Sequence, residues 1–398
     1  MTKWRIYKLE EIADIQTGPF GSQLHNKDYA TKGFPIVTVE HLGHRRFTTQ
    51  NLPLVSDADK TRLSKYVLSE GDVVFSRVGS VDRCSYVSKA EDGWMFSGRC
   101  LRVRCNENAH PLYIYYYFCQ ESIKQYIRNV AVGATMPSIN TQIMSDIPIS
   151  LPSLEEQKKI AGILSAIDDK IENNRRINDN LELQAQALFD EWFVNDSTQP
   201  AEYNRATLID IANYLNGLAM QRFRPQSDEK GIPVLKIKEL GQGQCDSSSD
   251  MCTPSIDPKY IVNDSDIIFS WSGTLLVDIW CGGICGLNQH LFKVTSDKYP
   301  KWFVYYWTKY HLAKFIRIAK DKAVTMGHIK RGDLESSEVI IPSAQILDKM
   351  DNIIAPIFDA IISRRVENRT LASLRDTLLP KLMNRELKIS EYEIHISR

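Results

Sequence analysis

The positions of apolar residues predict a long helix over residues 153–194. From residue 160 to residue 192 they recur in alternating steps of four and three, which is the spacing of a coiled-coil seam. A Ser-Leu-Glu-Glu capping signal opens the segment, and no glycine follows Gly162 within it. Residues 350–382 show the same spacing. The seam positions are Ile160, Leu164, Ile167, Ile171, Asn174, Asn178, Leu181, Ala185, Leu188 and Trp192 in the first helix, and Met350, Ile354, Ile357, Ile361, Arg364, Asn368, Leu371, Arg375, Leu378 and Leu382 in the second.

Both seams contain polar residues at their centre. When the helices pair, these residues form a polar layer whose alignment depends on the register of the pair. Two seams of equal length in one chain are expected to pack against each other. An antiparallel pair is favoured, because a parallel pair would force the intervening chain to span the whole coil. In that register Asn174 stacks on Asn368, and Asn178 lies near Arg364. We predict that these four residues fix the register of the coil, as buried polar seam residues commonly do.

The remaining segments have a different pattern, in which short β-branched runs alternate with glycine turns. Residues 1–152 include predicted strands at Pro35–Val39, Val73–Phe75 and Cys100–Val103. An aromatic, helix-like stretch follows at Leu112–Val130. This mixture predicts a globular domain of α/β type.

The same order of elements recurs after residue 200, because the sequence is duplicated. Leu9–Gly43 returns as Leu208–Gly241, and GDVVFSRVGS at Gly71–Ser80 returns as SDIIFSWSGT at Ser265–Thr274. The predicted fold class is therefore α+β: two tandem mixed α/β domains joined by two long antiparallel coiled-coil helices, with a pseudo-twofold internal duplication. The predicted globular domains are residues 1–152 and 200–341, and the predicted helical segments are residues 153–199 and 342–398.

Charge and composition limit the kinds of binding partner and the cellular compartment that we expect for the chain. The 49 basic residues balance the 49 acidic ones, but residues 153–196 carry 10 acidic residues against 5 basic ones. We therefore expect this helix to face away from any phosphate backbone. No apolar run is long enough to cross a membrane, and no signal peptide is visible at the amino terminus. The eight cysteines are scattered, so we expect a cytoplasmic protein with free thiols.

We find no recognisable catalytic motif in the sequence. It has no phosphate-binding P-loop, no G-x-G-x-x-G at the start of a helix, and no N-P-P-Y loop of an amino-methyltransferase. Cys281 and Cys285 lack the second pair that a structural zinc site needs. We expect a non-enzymatic chain with no catalytic residues, no metal and no cofactor of its own.

Two globular units, each followed by a heptad helix that begins with LPSLEEQ or IPSAQIL, resemble the specificity subunits of type I restriction–modification systems. The resemblance covers essentially the whole chain. The helix entry at Pro152–Gln157, the two glycine turns, and Met136–Asn140 before the predicted strand Ile147–Leu151 carry it. The second helix entry departs from the pattern, because IPSAQIL lacks the Glu-Glu-Gln of the first.

The resemblance implies that each globular domain is a target-recognition domain that reads one half of a bipartite double-stranded DNA site. It implies that the helices dock two methyltransferase subunits and that two restriction–translocase subunits can join. The chain would then be the non-catalytic part of a DNA adenine methyltransferase or type I restriction endonuclease complex. The 33 residues from 160 to 192 would form a helix about 50 Å long. That length suits two readers in major-groove faces about 34 Å apart, so the helices would set the spacer.

Candidate DNA contacts lie on polar loops beside the glycine turns, where side chains can reach phosphates and base edges. Arg45 and Arg46 are predicted phosphate contacts. The other candidates are Arg77, Ser80, Arg83, Thr135, Ser138 and Asn140 in the first domain, and Trp271, Ser272, Thr274, Thr325, His328 and Lys330 in the second. For each of them the alternative is an ordinary solvated loop residue. Tyr115–Tyr117 and Tyr305–Trp307 suggest base stacking, but their helical spacing favours a place in the core.

A different class of function fits the same pattern. Two protein-binding modules on a coiled-coil spacer would make a bivalent scaffold that needs no nucleic acid. A steep loss of DNA affinity with rising salt concentration would separate the DNA-binding protein from this scaffold.

Overall fold

The computed structural model describes residues 4–21, 23–195, 203–321 and 327–387. The chain divides into two compact units. The first unit consists of residues 1–169 and 372–398, and the second consists of residues 170–371. Each unit therefore contains one globular domain together with a part of both long helices.

The first unit is built from ten short strands and from helices that follow them. Its strands are β1 Arg5–Lys8, β2 Ala13–Thr17, β3 Tyr29–Ala30, β4 Phe34–Val37, β5 Leu54–Val55, β6 Val73–Ser76, β7 Cys84–Tyr86, β8 Met95–Phe96, β9 Cys100–Cys105 and β10 Pro148–Leu151. Its helices are α1 Leu9–Ile12, α2 Asp57–Arg62, α3 Pro111–Cys119, α4 Glu121–Val130 and α5 Thr141–Ser145, and the long helix α6 spans Leu154–Phe189.

Strand β6 lies at the centre of the first domain. It pairs with β9 and β7 in an antiparallel sheet of order β2-β9-β6-β7, and all four of its residues are buried. Since successive strand residues point to opposite faces, Phe75 packs on Phe118 of α3, with ring centroids 4.7 Å apart, while Val74 enters a separate core cluster. That second cluster lies with the sheet β3-β5-β4-β8, in which β4 and β8 are parallel. β1 and β10 form a separate antiparallel ribbon.

The single helix expected at Leu112–Val130 is two helices that meet at Gln120. The backbone of Gln120 is extended (φ −63°, ψ 135°), and its side-chain amide donates to the carbonyl oxygen of Tyr117 at 3.1 Å. The aromatic side chains of α3 are buried in the core. The preference for core packing over base stacking at Tyr115–Tyr117 is therefore confirmed.

The second unit repeats this architecture. Its strands are β11 Asn204–Thr207, β12 Asn213–Asn216, β13 Ile232–Leu235, β14 Met251–Cys252, β15 Ile261–Val262, β16 Ile267–Ser270, β17 Leu276–Ile279, β18 Cys285–Leu287, β19 Leu291–Thr295 and β20 Glu338–Ile341. Its helices are α7 Leu208–Ile211, α8 Ile237–Gln242, α9 Lys301–Tyr310, α10 Leu312–Asp321 and α11 Arg331–Glu335, and the long helix α12 spans Ala344–Met383.

The correspondence between the two domains extends to strand order. The sheet β12-β19-β16-β17 matches β2-β9-β6-β7, and the ribbon of β11 and β20 matches that of β1 and β10. The second four-stranded sheet has the order β14-β13-β18-β15, again with one parallel pair, β13 and β18. Tyr305–Trp307 of α9 are buried, as their helical spacing favours. The duplication in sequence is therefore a duplication of fold.

The long helices pair in antiparallel fashion, as the seams predict. In the first unit Leu164, near the start of α6, shares a core with Leu378 and Leu382, near the end of α12. In the second unit Leu188, near the end of α6, shares a core with Ile354, near the start of α12. Helix α6 ends in a π-helical turn, Asp190–Val194.

Each long helix also buries a second face that the seam pattern did not predict. Ala161 and Leu379 enter the core of the first domain, and Phe189 and Phe358 enter that of the second. Both globular domains are therefore packed directly on the helices. Within the described ranges, no helix combines the length and apolarity needed to cross a membrane.

Candidate nucleic-acid interface

Three loops of the first unit meet at the end of the central strand β6. The hydroxyl of Ser76 donates to the carbonyl oxygen of Val78 at 2.8 Å and so shapes the turn that follows. The amide of Arg77 donates to the carbonyl of Arg99 at 2.8 Å, and the carbonyl of Arg77 accepts from the amide of Ile139 at 2.9 Å. Residues 77–79, 97–99 and 132–140 consequently form one surface.

The side chain of Arg77 is held in place on this surface. Its guanidinium donates to the carbonyl of Gly98 at 3.1 Å and lies over the ring of Phe20, 5.9 Å from the centroid. Phe20 is 57% exposed. Its loop approaches the 97–99 loop so closely that a Cβ on Gly18 would sit 2.1 Å from the carbonyl oxygen of Ser97, so only glycine fits there.

Phe20 is a functional candidate that sequence reasoning missed. The signal for it was present, because Gly18–Gly21 places one aromatic residue among glycines inside the duplicated segment. A single exposed apolar side chain is ordinary by itself, so the contact of Phe20 with Arg77 is what makes it a candidate.

The second unit builds the same surface with different side chains. The amide of Trp271 donates to the carbonyl of His290 at 3.4 Å, and the carbonyl of Trp271 accepts from the amide of Ile329 at 3.1 Å. The indole N–H of Trp271 donates to the side-chain oxygen of Asn216 at 3.0 Å. A Cβ on Gly217 would sit 2.2 Å from the carbonyl oxygen of Asn288, which is the same close approach as at Gly18.

These hydrogen bonds define which residues of the two surfaces are equivalent. The amide of Arg77 donates to the carbonyl of Arg99 just as that of Trp271 donates to the carbonyl of His290. Arg77 therefore corresponds to Trp271, and Arg99 to His290. One architecture therefore presents a guanidinium in the first unit and an indole in the second.

Positive charge is concentrated on the surface of the first unit. Arg83 and Arg99 are exposed, and the side chain of Arg83 lies beside Gly43. Asp82, on the same turn, forms an ion pair with Arg128 at 2.5 Å. Arg128 also pairs with Glu121, so the positive charge that this surface offers to phosphate is that of Arg83 and Arg99.

The other predicted contacts of the first unit have mixed environments. Ser80 and Thr135 are exposed on the loops of this surface. The hydroxyl of Ser138 donates to the carbonyl of Val132 at 3.1 Å. The side-chain oxygen of Asn140 caps α5 by accepting from the amide of Ile143 at 2.8 Å, which favours a structural role for that residue.

In the second unit Thr274 and Lys330 are exposed, and His328 is exposed with its ring 6.4 Å from that of Trp271. Ser272 is buried, and its hydroxyl is hydrogen-bonded to Nδ1 of His290 at 3.0 Å. Ser272 therefore has a structural role, in which it holds the ring of His290 beneath the surface. Thr325 lies outside the described residues.

Arg45 is buried beside helix α6 instead of lying open to solvent. Its guanidinium donates to the carbonyl of Ser165 at 3.2 Å and forms an ion pair with Asp169. Arg46, next to it, is half-buried. The position of Arg45 favours a role in fixing the domain on the helix, and its contact with phosphate stays a prediction.

In the second unit the arginines that join domain and helix lie on the helix. Arg365 of α12 donates to Asp278 of β17 and to Glu182 of α6, both at 2.7 Å. Burial disfavours the charge of Arg365, but the two carboxylates outweigh this effect and raise its pKa. Arg369 holds Asp264 with two hydrogen bonds, at 2.6 and 2.8 Å, and these lower the pKa of Asp264. The globular domain of the second unit is thus anchored to the helix pair by buried and half-buried charges.

The polar layer of the coil lies within the second unit. The side-chain amide of Asn174 donates to Asn368 at 2.9 Å and to Glu367 at 2.7 Å. That of Asn178 donates to the backbone carbonyl of Ile361 at 3.2 Å. Arg364 donates to Ala360 of its own helix at 3.0 Å. The layer therefore joins the two helices through the asparagines.

The two loop surfaces offer guanidinium, imidazole and hydroxyl groups, the exposed ring of Phe20 and the half-buried ring of Trp271. Groups of these kinds bind phosphates and base edges in DNA-binding proteins. In the part of the chain that the structure describes, no cluster of three histidine, cysteine, aspartate or glutamate side chains is arranged to hold a metal ion. All eight cysteines are free thiols.

Two repeated α/β units, each with the same loop surface and each packed on a pair of antiparallel helices, define a protein with two recognition modules. A family model described as the type I restriction modification DNA specificity domain matches residues 1–183 and 200–375. The chain belongs to this family.

Individual relatives agree with this classification. The chain is similar to the type I restriction enzyme MjaIX specificity subunit of Methanocaldococcus jannaschii, with 25% identity over 98% of this chain and 94% of the relative. It is 20% identical to the type I restriction enzyme HindI specificity subunit of Haemophilus influenzae, over 97% of this chain and 100% of the relative. The crystal structure of a type I restriction-modification system S subunit from M. genitalium has the same fold, with a TM-score of 0.58 at 16% identity over 97% of both chains.

Proposed function

We propose that this chain is the DNA specificity subunit of a type I restriction–modification complex. Residues 1–152 and 200–341 act as target-recognition domains, each reading one half of a bipartite site in double-stranded DNA. The observation that carries this proposal is the loop surface around Arg77, which is built a second time around Trp271 with the same backbone hydrogen bonds. A target with two separate halves is what two such surfaces in one chain are suited to bind.

Positioning and reading are assigned to different groups on these surfaces. The exposed Arg83 and Arg99 are proposed to contact phosphates, and such contacts fix the domain on the duplex without reading sequence. The side chains of Arg77 and Trp271 are each held by a hydrogen bond, to Gly98 and to Asn216 respectively. Such restraint suits side chains that read base edges. The remaining loop residues, including Ser80, Thr135 and Thr274, line the same surfaces and supply further contacts.

The helices are proposed to set the spacer between the half-sites and to dock two methyltransferase subunits. Large apolar residues are exposed on their outer faces. Leu183 is 70% and Ile353 is 50% exposed in the second unit, and Leu374 is 47% exposed in the first. We propose that a partner covers these side chains, because apolar groups are enriched at the centre of protein–protein interfaces.

In this proposal the chain is non-catalytic and cytoplasmic. The methyltransferase subunits supply the transfer of a methyl group from S-adenosylmethionine to adenine. Two restriction–translocase subunits supply ATP-driven movement and cleavage. The pseudo-twofold repeat of the chain is the reason to expect two copies of each partner.

Mapping methylated adenines in the host genome tests the proposal. Cells with the intact gene should show a bipartite methylated motif, and cells with the disrupted gene should lose it. Complementation with the wild-type gene should restore the motif, and the control variant Arg205→Gln, whose exposed arginine pairs with Glu338 on β20, should restore it equally. A methylation pattern that does not change on disruption would contradict the proposal. Binding of the purified chain to protein partners alone would then favour the scaffold.

A further inference from the structure

We propose that Arg77 and Trp271 are equivalent specificity-determining residues that select chemically different bases. Arg77 selects a guanine in the half-site of the first unit. Trp271 selects a thymine, through its 5-methyl group, in the half-site of the second. This assignment rests on the proposed function and deepens it, because it states what chemistry each half of the target must contain.

The backbone at both positions is fixed in the same way. In the first unit the amide of Arg77 donates to Arg99, just before β9, and its carbonyl accepts from Ile139, just before α5. In the second unit the amide of Trp271 donates to His290, just before β19, and its carbonyl accepts from Ile329, just before α11. Because the backbone is held on both sides, the two side chains leave equivalent points of equivalent surfaces. The bases they select therefore depend on the chemistry of the side chain.

Arg77 has the donors that guanine requires. A guanidinium carries several N–H donors and no acceptor, and in the described part of the chain the side chain of Arg77 gives one hydrogen bond, to Gly98. No carboxylate of the described residues forms an ion pair with it. The Nε–H of Arg77 is buried and has no partner among the described residues, so the donors left for a ligand are those of its terminal nitrogens. These can match the N7 and O6 acceptors of guanine, which arginine binds with two parallel bonds. Phe20 beneath the guanidinium limits its freedom, so little entropy is lost on binding.

Trp271 offers the opposite chemistry. Its single N–H donor is already given to Asn216, at 3.0 Å, and an indole ring has no acceptor. What remains for a ligand is an apolar ring, half-buried and supported by Phe292 at a centroid distance of 5.7 Å. In the major groove the 5-methyl group of thymine is the apolar feature that distinguishes one base from the others. A ring that can form no further hydrogen bond is suited to contact it.

Base analogues test both assignments directly. The full-length chain, with the subunits that co-purify with it, is first used to select its target from random duplex DNA. Each guanine of the target is then replaced in turn by 7-deazaguanine, which lacks N7, and each thymine by uracil, which lacks the methyl group. One 7-deazaguanine in one half-site should weaken binding about tenfold, and one uracil in the other half-site about fivefold.

Variants of Arg77 and Trp271 are then tested on the same modified DNAs, so that each side chain is paired with each base in a double-mutant cycle. In Arg77→Gln the critical 7-deazaguanine should have no further effect, while sensitivity to uracil in the other half-site is unchanged. In Trp271→Gln the critical uracil should have no further effect, and Trp271→Phe should keep the sensitivity because its ring still reaches the methyl group. Arg205→Gln, which changes an exposed arginine paired with Glu338 on β20, should behave as wild type at every position. Since the readout is the loss of sensitivity to one modified base, a general loss of stability in a variant does not imitate it.

Several outcomes would overturn the assignment. Binding that is indifferent to 7-deazaguanine throughout the target excludes guanine reading by Arg77. An Arg77→Gln variant that binds all sequences equally less well, with a shallower dependence on salt, identifies a phosphate contact instead. Indifference to uracil throughout, with binding weakened by Trp271→Gln for every sequence, identifies sequence-tolerant stacking. If the wild-type chain selects no sequence at all, the proposed function fails, and the base assignment fails with it.

Discussion

Asp168 is a buried carboxylate that joins three elements of the first unit. It accepts a hydrogen bond from the hydroxyl of Tyr116 on α3 at 2.7 Å, and one from Arg375 on α12 at 2.8 Å. Burial raises the pKa of Tyr116, and the nearby charge of Asp168 raises it further, so the hydroxyl remains a donor at ordinary pH. In the second unit the equivalent helix position is Phe358, whose ring packs 5.6 Å from that of Tyr305. Equivalent contacts between domain and helix are therefore polar in one unit and apolar in the other.

The polar contact stabilises the fold only while it is complete, because an unpaired buried charge is costly. Arg375→Met leaves Asp168 without its cation. Because Arg375 is partly exposed, we expect the free energy of unfolding of the first unit to fall by about 1–3 kcal/mol. Asp168→Asn added to Arg375→Met should recover part of this loss, because the unpaired charge is then removed.

Urea denaturation of the full chain measures these changes. Arg175→Met is the matched control, since Arg175 is an exposed arginine of α6, and it should change the free energy by less than about 0.5 kcal/mol. An Arg375→Met variant as stable as this control would show that Asp168 does not depend on its ion pair.

The helix pair formed by α6 and α12 contains a polar layer at its centre. The side-chain oxygens of Asn174 and Asn178 are buried and accept no hydrogen bond from any described residue, which costs stability. Replacing Asn174, Asn178, Arg364 and Asn368 by leucine should therefore raise the melting temperature. It should also permit slipped or intermolecular pairing, because the layer no longer penalises other registers. Light scattering should then show mixed oligomers. A variant that melts at a lower temperature and remains a uniform monomer would count against a role in register.

The length of the helices gives a second prediction at this scale. Inserting one heptad into each helix, after Asn178 and before Arg364, adds about 10 Å while preserving the antiparallel register. If the helices set the spacer, the methylated motif should gain about three base pairs between its halves. Methylome sequencing of cells that carry the insertion measures this. An unchanged spacer would show that the distance between half-sites is set elsewhere.

For the whole molecule, the predictions concern partners and catalysis. The purified chain should transfer no methyl group from S-adenosylmethionine to DNA and should cleave no DNA. When methyltransferase subunits are added, mass measurement of the complex should give two of them for each chain, because the fold repeats the same helix and domain arrangement twice.

Replacing Leu183 and Ile353 by serine should weaken that assembly, since both are large apolar side chains exposed on the long helices. The same replacement at Leu387, which lies beyond the end of α12, serves as the control. Methyl transfer by the isolated chain, or full activity with a single methyltransferase subunit, would contradict this prediction.

Much of the element structure was accessible from sequence because it depends on local periodicity. The heptads of α6 and α12 predict the seam at which the helices meet, and six of the ten α6 seam positions are buried, whereas the α12 seam is half-buried from Arg364 to Leu378. The apolar run at Val73–Phe75 predicts a buried strand, and β6 lies at the centre of its sheet. The break at Gln120 was missed, because the residues around it, Cys119 and Glu121, have ordinary helical propensity and only the packed fold bends the chain there.

The sequence by itself determined the duplication, the fold class, the antiparallel helix pair and the glycine turns that follow β6 and β16, since repeats, hydrophobic spacing and glycines can all be seen along the chain. Only the tertiary structure decided which polar residues lie on the loop surfaces and which form ion pairs with the long helices. It places Arg45 on Asp169, buries Asp168 against Arg375, and sets Arg77 over Phe20. These pairs are separated by many residues in sequence, and each arginine or aspartate has several potential partners until folding brings one of them within reach. Periodicity reports which side of an element is buried, whereas ion pairs and ring contacts depend on where distant elements meet.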